Sequence, residues 1–401
     1  MNILYCINDY AGFHGAGATN ALRLLIRENK DLERYQIFCK NYILREGKKA
    51  DDVIEACGAD VVNEFEKGDY SCVHWIRSNK YDLFVEIVHE MNRRKVRVPI
   101  ITTVCQKPSC HETLITPIEV KNTSLFIFID KTSYCDPFYT FIPKERKKMI
   151  RFGGYDSENV QFYDEMISQK QDRGDDDIVY GRGGSLNKCP KDMFEVYDQI
   201  NSPKKIVIIG DGENGWIKNE INRRKDDYEV DLLPSMSRTD WLKQVLKFDI
   251  FLYYLPPMAY SSTDGTMLDA MMLKIPIVYC GPEAPQELLV DGYNARIARS
   301  KEELSTICNE LAQNASERKM LGENARKTVM ENMNVEKLKN AYAQVYKTIT
   351  YQRPLAIPLS FNWWYYRIIY QDKFGILYRE WSYKTKVKIY GCYCRIKGLV
   401  K

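Results

Sequence analysis

Short apolar runs and segments of helical period alternate along most of the chain, and they do so in two successive series. In the first, runs at residues 3–7, 36–39, 71–76, 98–104 and 124–129 have the length and content of strands, with helical stretches such as 18–28 and 83–92 between them. The second series places strands at 178–181, 205–209, 228–233, 250–254 and 276–280. Its helices fall at about 191–200, 238–247, 266–273, 301–314, 317–332 and 336–348. Alternation of this kind argues for parallel sheets covered by helices on both faces. The expected fold class is therefore α/β, with two Rossmann-like, doubly wound domains in tandem. The polar stretch DEMISQKQDRGDDD reads as the linker, which sets domains at 1–163 and 178–350, a linker at 164–177 and a separate tail at 351–401. Ligands of such sheets bind outside the carboxyl ends of the strands, and with two domains the cleft between them is the expected site.

Composition narrows the function classes. With 401 residues, 45% hydrophobic and 28% charged, the chain has enough apolar material for two cores and is not a disordered or fibrous sequence. A formal charge of +4 is too balanced for a chain that binds nucleic acid as a whole. No run of about 18 apolar residues occurs, so a spanning helix is not expected. The opening MNILYCINDY lacks the basic and apolar regions of a secretory signal and reads as a first strand. The expected location is cytoplasmic, with the 12 cysteines as reduced thiols. There is no C-x-x-C pair and no Cys/His cluster at zinc spacing, so no metal site is expected.

Two loops join a strand to a helix through glycines. The first, residues 9–17, carries Gly12, Gly15 and Gly17. Glycines let a backbone approach a ligand, and the helix that follows offers its N-terminal N–H groups to an anion. The spacing does not meet the dinucleotide fingerprint G-x-G-x-x-G, and a plain βα turn is the competing reading. The second, Y-G-R-G-G-S-L-N-K at 180–188, adds Arg182 and Lys188, a cation pair suited to a diphosphate; a solvated basic turn is its alternative. Further on, Asp269 lies on the helix T-M-L-D-A-M-M, where a carboxylate near a helix start could accept hydrogen bonds from ribose hydroxyls; its alternative role is a partner of the helix dipole.

Taken in order, Gly181-Arg182 with Lys188, the I-G-D-G turn at 209–212, the L-D-A-M helix, K-I-P-I-V at 274–278 and P-Q-E-L-L-V-D-G-Y-N at 285–294 resemble the second domain of family 4 glycosyltransferases. H-G-A-G-A-T-N-A-L-R-L-L from His14, C-V-H-W-I around His74-Trp75 and R-F-G-G-Y-D from Arg151 resemble its first domain. The resemblance covers roughly 345 residues. It implies the GT-B fold and retaining transfer of sugar from a nucleotide-sugar donor to a glycan or glycolipid acceptor. No cofactor beyond the donor substrate and no metal is implied; Asp175-Asp176-Asp177 lies in the linker rather than at a strand end. Carried over residue by residue, Gly15, Gly17 and Gly181 are donor-facing glycines, Arg182 and Lys188 hold the diphosphate, Asp269 is the ribose contact, and Glu287 matches the glutamate after the following strand. Three positions depart from the family. Ser261 replaces the first Glu of the Glu-x7-Glu motif, with Asp264 close by. Cys105 replaces a His near the donor sugar, with His111 as the candidate for that place. Gln106 replaces an Asp. The expected catalytic set is therefore Arg182, Lys188, His111 and Asp264. Charge building on the leaving diphosphate would be met by preorganised donors. A non-catalytic relative that binds nucleotide-sugar, or serves as a partner subunit, is the alternative that Ser261 and Cys105 favour.

The last 51 residues hold 10 Lys+Arg, 2 Asp+Glu and 13 aromatics, a local charge of +8. Trp and Tyr prefer the headgroup level of a bilayer and cations are drawn to anionic lipids, so peripheral membrane contact through 351–401 is expected. The alternatives are packing on the first domain and an aromatic/basic nucleic-acid surface.

Overall fold

The structure, a computed structural model, describes residues 2–9, 25–26, 34–41, 60–62, 70–77, 82–105, 114–151, 153–155, 157–170, 177–184, 186–210, 214–256, 259 and 264–370. It divides into two compact units, one of Met1–Gly154 with Val335–Lys401 and one of Tyr155–Asn334.

Unit 1 is built on seven parallel strands: β1 (Asn2–Asp9), β2 (Arg34–Asn41), β3 (Asp60–Val62), β4 (Cys72–Arg77), β5 (Ile100–Val104), β6 (Leu125–Phe128) and β7 (Lys147–Met149), in the order β3-β2-β1-β4-β5-β6-β7. Side chains alternate across the pleat, so each strand feeds two cores. Leu4, Cys6, Val73, Trp75 and Ile100 face helix α1 (Asp82–Arg94) through Leu83, Phe84, Ile87 and Met91. On the opposite face, Ile3, Tyr5, Ile7, Ile76 and Ile101 meet Leu338, Tyr342, Val345 and Tyr346. Two short helices, α2 (Pro117–Asn122) and α3 (Lys131–Tyr134), lie between the later strands.

Unit 2 repeats the plan. Helix α4 (Ser157–Ser168) precedes six parallel strands: β8 (Ile178–Gly183), β9 (Lys204–Ile209), β10 (Glu229–Leu233), β11 (Ile250–Tyr254), β12 (Ile277–Cys280) and β13 (Ala295–Ile297), in the order β10-β9-β8-β11-β12-β13. Helices α5 (Met193–Asp198), α6 (Gly215–Arg224), α7 (Arg238–Val245), α8 (Gly265–Met272), α9 (Glu283–Gln286), α10 (Lys301–Gln313) and α11 (Ala315–Asn332) cover the sheet. Val179, Val207, Phe251 and Ile277 pack against α4, α7, α8 and α11; Tyr180, Ile206, Ile250 and Val278 pack against α5 and α10. Both sheets reverse direction at their first strand, at β1/β4 and at β8/β11, so each unit has the topology of a dinucleotide-type fold. Two such units are the domains of the GT-B fold, as the resemblance implied.

The domain limits differ from those expected. The stretch read as linker begins inside α4, whose Tyr163 and Met166 are buried in the unit 2 core. Helix α12 (Val335–Thr348), placed with the second domain by sequence order, belongs to unit 1, where its Leu338, Tyr342, Val345 and Tyr346 complete the core. The units therefore part after Gly154 and after Asn334, because burial of these apolar faces decides membership and sequence order does not. A last described helix, α13 (Leu359–Tyr370), follows an extended segment bonded to unit 1.

Candidate functional site at the carboxyl ends of β8 and β11

The switch point of the unit 2 sheet lies between β8 and β11, where Tyr180 and Gly181 pair with Ile250 and Phe251. Connections leave these two strands in opposite directions, so their carboxyl ends are left open to a ligand. Arg182 stands there. Only 2% of it is exposed, and its Nη1 donates to the Tyr254 carbonyl at 3.4 Å and lies 3.0 Å from the Met193 sulfur. Among the described residues no carboxylate pairs with it. A buried guanidinium without an anion is costly, since burial removes its hydration and nothing negative replaces it. Such a group is preorganised for an anionic ligand.

Lys188 ends the 3-10 turn Leu186–Lys188 after the glycine loop, and its ammonium is 3.6 Å from Asp264 Oδ2. Asp264 is the N-cap of α8. Its Oδ1 accepts from the Thr266 backbone N–H at 3.2 Å and from the Thr266 hydroxyl at 3.0 Å, and its Oδ2 accepts from the Tyr253 hydroxyl at 2.6 Å. Burial alone would raise this carboxyl; Lys188, Tyr253 and Thr266 together outweigh burial and hold it below its ordinary value. Tyr253 and Tyr254 are the last residues of β11. The strand ends thus gather Arg182, Lys188 and Asp264, three of the four residues expected to be catalytic, at the carboxyl end of the central strands. His111, the fourth, lies outside the described residues, as do Gly15, Gly17, Gln106 and Ser261.

Two residues expected to bind the donor have structural partners in unit 2. Asp269 does not open its helix; it is the fifth residue of α8, 4% exposed, and its carboxylate is fully engaged inside unit 2. Oδ1 accepts from the Tyr163 hydroxyl at 2.6 Å and from Arg238 Nη2 at 2.8 Å, and Oδ2 accepts from Trp241 Nε1 at 3.0 Å. Burial raises this carboxyl above its ordinary value despite the pull of Arg238, Tyr163 and Trp241, and the carboxylate in turn raises Arg238. Asp269 ties α4, α7 and α8 together through these bonds. Gly181 is likewise a packing residue. A Cβ built on it would fall 2.1 Å from the Phe248 ring, so glycine is needed there for the close approach of α7's end to β8. Glu287 follows α9 beyond the carboxyl end of β12, half-buried, in the same set of loop ends as Asp264.

In unit 1 the His74-Trp75 pair is buried. His74 Nδ1 is 2.7 Å from the Tyr346 hydroxyl and Nε2 is 2.7 Å from the Thr103 hydroxyl. Burial pulls its imidazole down to about 3. Trp75 Nε1 and Arg77 Nε both donate to Glu119 Oε1 at 3.0 Å, and Glu119 also forms the capping box of α2 with Thr116. Cys105, just past β5, has its thiol pushed up to about 12 by burial, with Arg77 opposing, so it stays protonated near neutral pH. Sequence reasoning did not find Tyr163, Arg238, Trp241, Glu119 or Tyr346. Each acts through a partner far away in the chain, and no local spacing records that.

No protein-family model matches the chain, and no curated protein matches it by sequence. Solved structures do. HepE of Anabaena, in complex with UDP and glucose, is 16% identical, with 87% of this chain covering 100% of that one at a TM-score of 0.67. The lipopolysaccharide outer core galactosyltransferase WaaB is 14% identical over 87% of this chain and 100% of that chain, with a TM-score of 0.61. A glycosyltransferase from Rickettsia africae is 10% identical over 86% of this chain and 97% of that chain, with a TM-score of 0.56.

Proposed function

We propose that the protein is a retaining glycosyltransferase that moves a sugar from a nucleotide-sugar donor to a glycan or glycolipid acceptor, without a metal, in the cytoplasm and against a membrane. The observation that carries this reading is Arg182, buried at the switch point of unit 2 with no carboxylate partner among the described residues. UDP and UDP-glucose are bound by HepE, which supports a nucleoside diphosphate as the anion. As the glycosidic bond of the donor loosens, charge builds on the leaving diphosphate. Arg182 meets that charge without reorganising, and Lys188 adds a second cation beside it. Asp264 holds Lys188 in place and occupies the N-terminus of α8 itself, so the helix dipole stabilises this carboxylate first.

Binding without transfer is the second reading. Two observations favour it: the carboxylate expected at the ribose is engaged within unit 2, and Cys105 is a protonated thiol where the family carries a His. One experiment separates the two. The protein is incubated with a panel of nucleotide-sugars while donor hydrolysis and melting temperature are followed. Slow hydrolysis of one donor supports the transferase. Stabilisation without turnover, worth about 2.7 kcal/mol at a hundredfold excess over Kd, supports the binding protein. No response to any donor rejects both.

A further inference from the structure

Strand β8 carries glycines on one face only. Successive side chains of a strand point to opposite sides, so Val179, Gly181 and Gly183 share the face that meets α7, while Tyr180 and Arg182 share the face that meets α5. Rings fill the places that side chains would take at 181 and 183. A Cβ on Gly181 would fall 2.1 Å from Phe248, and one on Gly183 would fall 2.1 Å from Cη2 and 2.3 Å from Cζ3 of Trp241. The outer edge of the indole therefore lies directly against the backbone of Gly183. The ring itself is fixed. Trp241 is buried, its Nε1 donates to Asp269 Oδ2 at 3.0 Å, and it meets Phe251 edge to face with centroids 6.5 Å apart.

The next residue is held from another side. The Gly184 N–H donates to the Ile209 carbonyl at 3.2 Å, and a Cβ on Gly210 would fall 1.8 Å from the Gly184 carbonyl oxygen. Between these contacts runs the backbone that carries Arg182 and leads on to Lys188. Arg182 leaves the strand on the side away from Trp241, toward Met193 of α5. A shift of about 1 Å in such a strand end is enough to spoil the geometry of a charge-assisted pair, so the backbone behind a binding cation has to be stiff. We propose that Trp241 is a positioning residue for this strand end: its indole is the wall that sets Gly183, and so fixes where Arg182 is held for an anion. The proposal rests on the functional reading above and adds to it a residue on the far side of the strand from the guanidinium.

The test is a pair of substitutions made singly and together in the full chain. Trp241→Phe removes the indole atoms nearest Gly183, and Gly183→Ala puts a methyl group where they were; Gly183 lies within β8, where the backbone accepts alanine. Two quantities are measured well below the melting temperature of each variant. Hydrogen exchange of the Gly184 amide reports the strand end with no ligand present, and titration calorimetry gives the affinity for inorganic pyrophosphate. Each single substitution should speed Gly184 exchange roughly tenfold and weaken pyrophosphate by a similar factor, and the double variant should return both to within about threefold of the parent, as coupling between residues in contact implies. Melting temperature should not follow. Trp241→Phe leaves Asp269 Oδ2 without its donor, and Gly183→Ala does not replace it, so the double variant should stay less stable than the parent. Single variants with the parent's Gly184 exchange and pyrophosphate affinity overturn the proposal. So does a double variant whose losses are the sum of the two single ones. If the parent binds no pyrophosphate, or Arg182→Ala leaves its affinity unchanged, the functional reading falls and the Gly184 amide alone decides whether Trp241 sets the strand end.

Discussion

Asp264 and Asp269 lie five residues apart, yet their surroundings give them different roles. Asp264 caps α8 and faces Lys188; Asp269 is buried under Tyr163, Arg238 and Trp241. Motif spacing falls on Ser261 and Asp269, with Asp264 only a neighbour in the loop; spacing fixes where a side chain sits along a helix and is silent on what packs over it. Asp269→Asn is therefore expected to lower stability rather than donor affinity. Losing charge-assisted bonds to Arg238 and Tyr163 should cost roughly 2 kcal/mol in urea denaturation; a raised donor KM at unchanged stability would restore the ribose assignment. Arg182→Ala should do the reverse. It removes a buried cation that has no carboxylate partner among the described residues, so stability should hold or rise while turnover falls by about 2 kcal/mol or more. Lys188→Ala should lower turnover on the same scale. Steady-state kinetics beside melting curves separate the two effects.

At the scale of elements, the long strands and helices were legible and the short ones were not. The observed limits of strand β11, Ile250–Tyr254, match those expected, inside an apolar run of six residues that ends at Pro256. Strands β3, β7 and β13 have three residues each and carry too little pattern to be seen. Helix α4 was obscured by its polar C-terminal half, although Val160, Tyr163 and Ile167 keep helical spacing and join the unit 2 core. The period of α12 marks it as a helix, but its place in the sequence does not show that it belongs to unit 1. What fastens it is His74, bonded to Tyr346 and Thr103, and this contact makes a pH prediction. The His74 imidazole is held down to about 3 in the folded chain, while unfolded it titrates near 6.5. Between these values the unfolded chain binds the extra proton, so stability falls as pH falls through that window, by about 1.4 kcal/mol per unit. Urea denaturation at pH 6.5 and pH 5 should show the parent losing about 2 kcal/mol more than His74→Gln. Equal losses would mean that His74 is not buried as a neutral ring.

At the scale of the whole molecule, unit 1 is assembled from both ends of the chain and unit 2 from its middle. The Tyr5 hydroxyl donates to the Tyr346 hydroxyl across 341 positions of sequence, a pairing that no local period encodes. This threading makes the two units unequal under truncation. Unit 2 holds both of its cores within 155–334, whereas one face of the unit 1 sheet is covered by Leu338, Tyr342, Val345 and Tyr346 of α12. Four buried side chains at about 1.5–3 kcal/mol each come to roughly 6–12 kcal/mol, which is comparable with the entire stability of a domain. A chain ending at Asn334 should therefore keep unit 2 folded and lose unit 1. Hydrogen exchange reads this directly: amides of β8 and β9 should stay protected while those of β1 and β4 exchange at unfolded rates. Had the boundary near residue 163 and the one at 350 been correct, the same truncation would damage the second domain and spare the first, so protected β1 amides with exposed β8 amides would overturn this division. The expected pattern also means that the N-terminal sheet cannot be completed until α12 has been made, after the whole of unit 2.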